Sequence, residues 1–131
     1  MLPKQTRGLR HVALKCRNLE LMERYYVGLL GYRVEWRPDA ENVYLTNGED
    51  SLALHHDAEA SSGETRLDHL GILVDEPSDV DAWAEHLTQG GATVAAAPRT
   101  HRDGCRSCYV LDPEGNRIQM LWHPGLSLLP K

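Results

Sequence analysis

Two stretches of the chain begin alike: Leu9-Arg10-His11-Val12-Ala13-Leu14 and Leu67-Asp68-His69-Leu70-Gly71-Ile72. In each, a histidine leads a short apolar run, and a helical pattern, a glycine stop and further strand-like runs follow. His11 stands 20 residues before Gly31, and His69 stands 21 residues before Gly90. A repeat of this length means one supersecondary unit built twice, and it constrains the fold more than any local propensity does.

The period changes along each copy in the same order. Val12 and Leu14 alternate with His11, Ala13 and Lys15, the period-2 pattern of a strand with one buried face. Asn18 is placed as an N-cap. Leu19, Met22, Tyr26 and Leu29 then draw one apolar helical stripe, which Gly31 ends. Strands are expected over Tyr32–Trp36, Asn42–Thr46 and Ser51–His55, with a hairpin at Asn47-Gly48. In the second copy, Leu70, Ile72 and Val74 alternate with His69, Gly71 and Leu73. Ser78 is expected to cap a helix, with Asp81 as its capping-box partner. Val80, Trp83, Ala84 and Leu87 form that helix's stripe, and Gly90-Gly91 stops it. Strands over Ala92–Ala96, Ser107–Leu111 and Arg117–Trp122 complete the copy, with a turn at Asp112-Pro113-Glu114-Gly115. The expectation is an α+β fold of two tandem βαβββ modules, about 8–56 and 67–124. Residues 57–66 link them, 125–131 form a tail, and all belong to one domain.

Bulk properties narrow the partners. With 131 residues and 41% hydrophobic content, the chain can bury a core of one domain's size. Its net charge of −5 opposes approach to phosphate backbones, so nucleic acid is not an expected partner. No run reaches the roughly 18 apolar residues of a membrane span, and the first residues lack the apolar core of a secretory signal. Three cysteines, an odd number, argue against a disulfide scaffold and for a reducing, cytoplasmic setting. Cys105 and Cys108 form a CxxC without a second pair, which reads as ordinary reduced thiols.

Two βαβββ modules, together with Asp112-Pro113-Glu114-Gly115-Asn116-Arg117-Ile118-Gln119, resemble the vicinal oxygen chelate superfamily and its DPxGNxIE signature. That superfamily includes glyoxalase I, bleomycin-binding proteins and extradiol dioxygenases. The resemblance covers about residues 8 to 124. It implies mixed sheets curled around a cavity with helices outside, and metal ligands on the inner strand faces. It assigns His11 and His69 to the strand-opening ligand positions and Gln119 to the C-terminal one, where relatives usually carry Glu. Parity turns Ile118 and Met120 toward the helix and Gln119 inward. Parity also turns His55 inward, as a candidate fourth ligand, whereas a gapless alignment of Tyr44 with Tyr109 sets Leu54 opposite Gln119. The implied cofactor is a divalent metal, Fe2+ or Zn2+, Ni2+ or Mn2+.

The segment from Pro98-Arg99-Thr100-His101 through Tyr109 resembles the C-terminal part of catechol-type extradiol dioxygenases. It implies His101 as acid/base and Tyr109 as a hydrogen-bond partner of the substrate oxygen; Tyr109 stands ten residues before Gln119. Arg99 and Lys15 are candidate anion-binding groups, and Arg102 and Arg106 crowd the same loop as Arg99. The expected activity is that of an extradiol-dioxygenase-like enzyme on a small molecule chelated through adjacent oxygens, working as a homodimer. The alternatives are a glyoxalase-type lyase or isomerase and a metal-free binding or resistance protein.

Overall fold

The computed structural model describes residues 3, 6, 8–61, 65 and 67–126. Parts of the N-terminal segment, the expected linker and the expected tail lie outside them. The chain divides into two compact units, residues 1–60 and 61–131, each with one four-stranded mixed sheet and one helical segment. The expected order of strand, helix and three strands holds in both.

In the first unit the sheet order is β1-β4-β3-β2, made of β1 (His11–Cys16), β2 (Arg33–Asp39), β3 (Asn42–Thr46) and β4 (Ser51–His56). β1 and β4 run parallel, and the other neighbours are antiparallel. Leu14, Cys16, Leu52 and Leu54 are buried, while His11, Ala13 and Lys15 are exposed. The alternation expected for β1 is therefore present. Asn18 caps α1 (Leu19–Glu23) by accepting a 3.0 Å hydrogen bond from the Leu21 amide.

The helix departs from the simple stripe. After Glu23 it widens into a π-helical segment, Arg24–Leu29, and the Leu30 amide reaches back to the Tyr25 carbonyl at 3.0 Å. The extra residue per turn turns both Tyr25 and Tyr26 into the core beside Met22, leaving Leu19 and Leu29 half-buried. Tyr26 packs edge-on against Tyr25 and Tyr32, at 5.0 and 6.3 Å between ring centroids. These tyrosines supply the aromatic core of a unit without phenylalanine. Burial, together with the Asp50 carboxylate that accepts its hydrogen bond at 2.6 Å, pushes the Tyr32 phenol well above its usual range.

In the second unit the sheet order is β5-β8-β7-β6, from β5 (Leu70–Leu73), β6 (Thr93–Thr100), β7 (Arg106–Leu111) and β8 (Arg117–Trp122). α2 (Pro77–Gln89) buries Val80, Ala84 and Leu87. On the sheet, Cys108, Val110, Ile118 and Met120 are buried. Each large side chain buried this way contributes about 1.5–3 kcal/mol.

The α2 start differs from expectation. Glu76, not Ser78, is the N-cap, and its capping-box partner is Asp79. Pro77 takes the first helical position, where its fixed φ suits the helix and its missing N–H costs nothing. Asp81 is thereby released to bind Arg106 of β7 at 2.7 and 2.9 Å. The Arg106 guanidinium holds the Asp81 carboxyl below the usual carboxylate range. A lowered folded-state pKa contributes stability above the unfolded value near 4 and loses it as pH falls. The stability difference between the wild-type chain and Asp81→Asn, read from denaturant midpoints, is therefore expected at neutral pH and to shrink below about pH 4. A difference that stays constant to pH 3 would contradict this role.

Both outer strands run longer than expected. β2 continues through Pro38 to Asp39, and β6 continues through Pro98 to Thr100, so Arg99 is a strand residue and not a loop residue. Both are edge strands with register shifts, where a proline without an N–H leaves no ladder bond unmade. Cys16, Cys105 and Cys108 are free and buried, and burial pushes the Cys105 and Cys108 thiols up, in line with unreactive thiols. Among the described residues, no helix is long and apolar enough to cross a membrane.

Candidate functional site

The signature turn sets the geometry of the second sheet. Asp112 is 4% exposed. Its carboxylate accepts from the Glu114 and Asn116 amides, both at 2.9 Å, and from the Asn116 side chain at 2.8 Å. Gly115 takes a positive φ of 86°, a conformation open to glycine at little cost. The turn thereby fixes the β7–β8 register that pairs Tyr109 with Gln119 and Val110 with Ile118.

That register sorts the side chains. Arg106, Cys108 and Val110 share the face that meets α2, as the Arg106–Asp81 bond shows. Ser107, Tyr109, Arg117 and Gln119 therefore lie on the opposite face. Gln119 also pairs with Gly71 of β5, two residues after His69. Its amide nitrogen donates to the Tyr109 hydroxyl at 3.2 Å. Its Oε1 lies 3.7 Å from the point where a Cβ on Gly71 would stand, an ordinary contact distance. The His69 ring meets the Tyr109 ring edge-on at 5.2 Å. His69 Nδ1 lies 2.5 Å from Asp68 Oδ2, which leaves Nε2 as the remaining ring donor atom. His69, Tyr109 and Gln119 are thus gathered on one face of one sheet.

His101 follows β6 and bridges two side chains. Arg99 donates to its Nδ1 at 3.3–3.4 Å, so its proton sits on Nε2 and is donated to Ser107 Oγ at 2.7 Å. Arg106 is committed to the other face of the sheet by Asp81.

In the first unit, His11 is exposed and its Nδ1 lies 2.9 Å from Ser51 Oγ, again leaving Nε2. The β1–β4 register pairs Ala13 with Ala53 and Lys15 with His55. The position matching Gln119 is therefore Ala53, and His55 lies four residues beyond the His11 row, about 13 Å along the strands. His55 Nδ1 lies 2.6 Å from Asn42 Oδ1, and its ring meets Tyr44, which stacks on Trp36 at 5.2 Å. Lys15 reaches Asp57 at 3.9 Å. Among the described residues, no three His, Cys, Asp or Glu side chains form a group able to hold a metal ion; a set that counts Gln119 is of another kind.

Three residues absent from the expectation belong to this constellation. Asp68 fixes the His69 ring, Ser107 receives His101, and Arg117 places its guanidinium over the Tyr109 ring at 5.4 Å. An acid directly before His69, and Ser107 at period 2 from Tyr109, were signals available in the sequence.

A family model described as Glyoxalase/Bleomycin resistance protein/Dioxygenase superfamily matches residues 8–120. The chain belongs to that superfamily. Divalent-metal binding and small-molecule binding are general in the glyoxalase/bleomycin resistance/dioxygenase superfamily. Solved structures share the fold of the chain. An integron cassette protein from the mobile metagenome of Halifax Harbour Sewage Outfall is 23% identical, with a TM-score of 0.78 over 90% of this chain and 100% of its own. A glyoxalase/dioxygenase from Nostoc punctiforme is 22% identical, with a TM-score of 0.77 over 95% and 96%. Lactoylglutathione lyase from Agrobacterium tumefaciens is 20% identical, with a TM-score of 0.76 over 91% and 96%.

Proposed function

We propose that this superfamily member is a divalent-metal enzyme acting on a small substrate through adjacent oxygens, in the manner of an extradiol dioxygenase. Its metal ligands would be His69 and Gln119 of the second unit; His11 holds the corresponding strand-opening position of the first. One observation carries the reading: His69 Nδ1 and the Gln119 amide nitrogen are anchored, on Asp68 and Tyr109, which leaves His69 Nε2 and Gln119 Oε1 as the remaining donor atoms. A carboxylate on the far nitrogen of a histidine orients the ring and raises its basicity, as metal sites require. The residues present therefore fit a divalent ion, and the neutral amide leaves more positive charge on it than a carboxylate would. When bound, the ion supplies a Lewis acid for a developing oxyanion.

The chain's own groups then divide the remaining work. Tyr109 accepts from Gln119 and keeps its own proton to donate to a substrate oxygen. Arg99 holds His101 in the tautomer with its proton on Nε2, and Ser107 carries that hydrogen bond to the face shared with Tyr109. His55 is left out of this ligand set; it pairs with Lys15, four residues along from the His11 row, and Ala53 takes the position matching Gln119. The Fe2+-loaded protein is expected to take up oxygen with catechols, and the His69→Ala protein is not. Equal uptake by the two would contradict the reading.

A metal-free binding protein is the second reading. The bond from Gln119 to Tyr109 favours it, because an amide satisfied across the face needs no metal.

A further inference from the structure

The face that carries His69, Tyr109 and Gln119 is short of negative charge. Ser107, Tyr109, Arg117 and Gln119 are its polar residues on β7 and β8, and none is acidic, although the chain has 19 Asp and Glu against 14 Lys and Arg. Asp68, at the entrance to β5, is held by His69. Arg117 is exposed and makes no ion pair or hydrogen bond among the described residues; its one interaction is with the Tyr109 ring, at 5.4 Å. Arg99, which pairs with Ser107 farther along β7, is engaged by His101.

A guanidinium held over an aromatic ring loses water from one side and freedom of rotation, and keeps its N–H groups for a ligand. Those donors form a planar fork that matches a carboxylate bidentately. We infer that Arg117 is a substrate-recognition residue that receives the carboxylate of a small planar acid. The acid's ring lies along Tyr109, and its other end lies toward Gln119. This deepens the function proposed above and rests on Tyr109 and Gln119 facing the substrate. It also gives a role to the residue in the Asp112–Gln119 signature that neither the turn nor the metal reading uses.

The test is a calorimetric titration of the metal-free full chain with benzoate and with its neutral isostere benzamide. The wild-type protein is expected to bind benzoate about tenfold more tightly, a difference of about 1.4 kcal/mol. Arg117→Met, which keeps the apolar stem, is expected to bind the two alike, and Arg117→Lys to recover part of the preference. Arg24→Met, which removes an exposed arginine paired with Glu20 in the first unit, is expected to keep it. No preference in the wild-type protein, a preference that survives Arg117→Met, or one lost in Arg24→Met would each overturn the assignment. Should Arg117→Met not fold, Arg117→Gln is read in the same way. Because no metal is added, a chain that fails to bind metal overturns the enzyme reading without deciding this one.

Discussion

Asp112→Ala is expected to destabilise the second unit by about 2–3 kcal/mol, because three donors lose one buried, charged acceptor. The carboxylate of Asp112 is buried and accepts from two backbone amides and the Asn116 side chain. Asp112→Asn keeps one acceptor oxygen, so its cost should be smaller. Denaturant midpoints at constant slope measure both. The effect reaches beyond stability, since the turn holds the register that pairs Tyr109 with Gln119. A one-residue slip would send Gln119 to the helix face and Ile118 to the open one. A change below about 0.5 kcal/mol, the range of ordinary surface substitutions, would show that the signature turn is not what holds this hairpin.

His69→Ala is expected to weaken divalent-metal binding at least about a hundredfold, or about 2.7 kcal/mol. It removes a donor atom outright. Asp68→Asn should cost about tenfold, the lower end of what is lost when a group that orients a ligand is changed. The ring keeps its position but loses the negative charge behind it. Gln119→Glu should change affinity the other way, since a carboxylate is the better donor and neutralises part of the ion's charge. The three directions together separate a metal site from a general loss of structure: a merely damaged fold would not bind metal more tightly in Gln119→Glu. Tyr109→Phe provides a contrast, because it frees the Gln119 amide without removing a donor atom.

The duplication made most of this fold legible. Period-2 alternation in β1, β4 and β8 told which side chains face the helix, and the buried pairs Leu52/Leu54 and Ile118/Met120 agree with it. The helix after Asn18 was legible as a helix but not as a widened one. A π-helical turn depends on how Tyr25 and Tyr26 pack, and i+3/i+4 spacing carries no trace of that. The two edge strands run past their expected ends at Trp36 and Ala96, through Pro38 and Pro98, because proline disfavours a strand only where its N–H is needed, and edge position is a tertiary fact. The capping box moved from Ser78 to Glu76 for a similar local reason: Pro77 already filled the first helical position. For the site, Tyr109 and Gln119 were paired by their spacing, and the register of the turn brings them opposite each other. Arg99 was read as a loop cation. Once β6 extends past it, Arg99 becomes the residue that sets the tautomer of His101. Arg117 passed unnoticed inside the signature because its meaning lies in the ring across the strand pair.

His69 Nε2 and Gln119 Oε1 are the proposed metal donors on which the function rests. Titration of metal-stripped wild-type protein with Zn2+, and under nitrogen with Fe2+, decides whether they act so, with Gln119→Glu and His69→Ala titrated alongside. Saturable uptake that tightens in Gln119→Glu and is lost in His69→Ala is the predicted result. No saturable uptake of either ion by the wild-type chain, or uptake unchanged by His69→Ala, would contradict it.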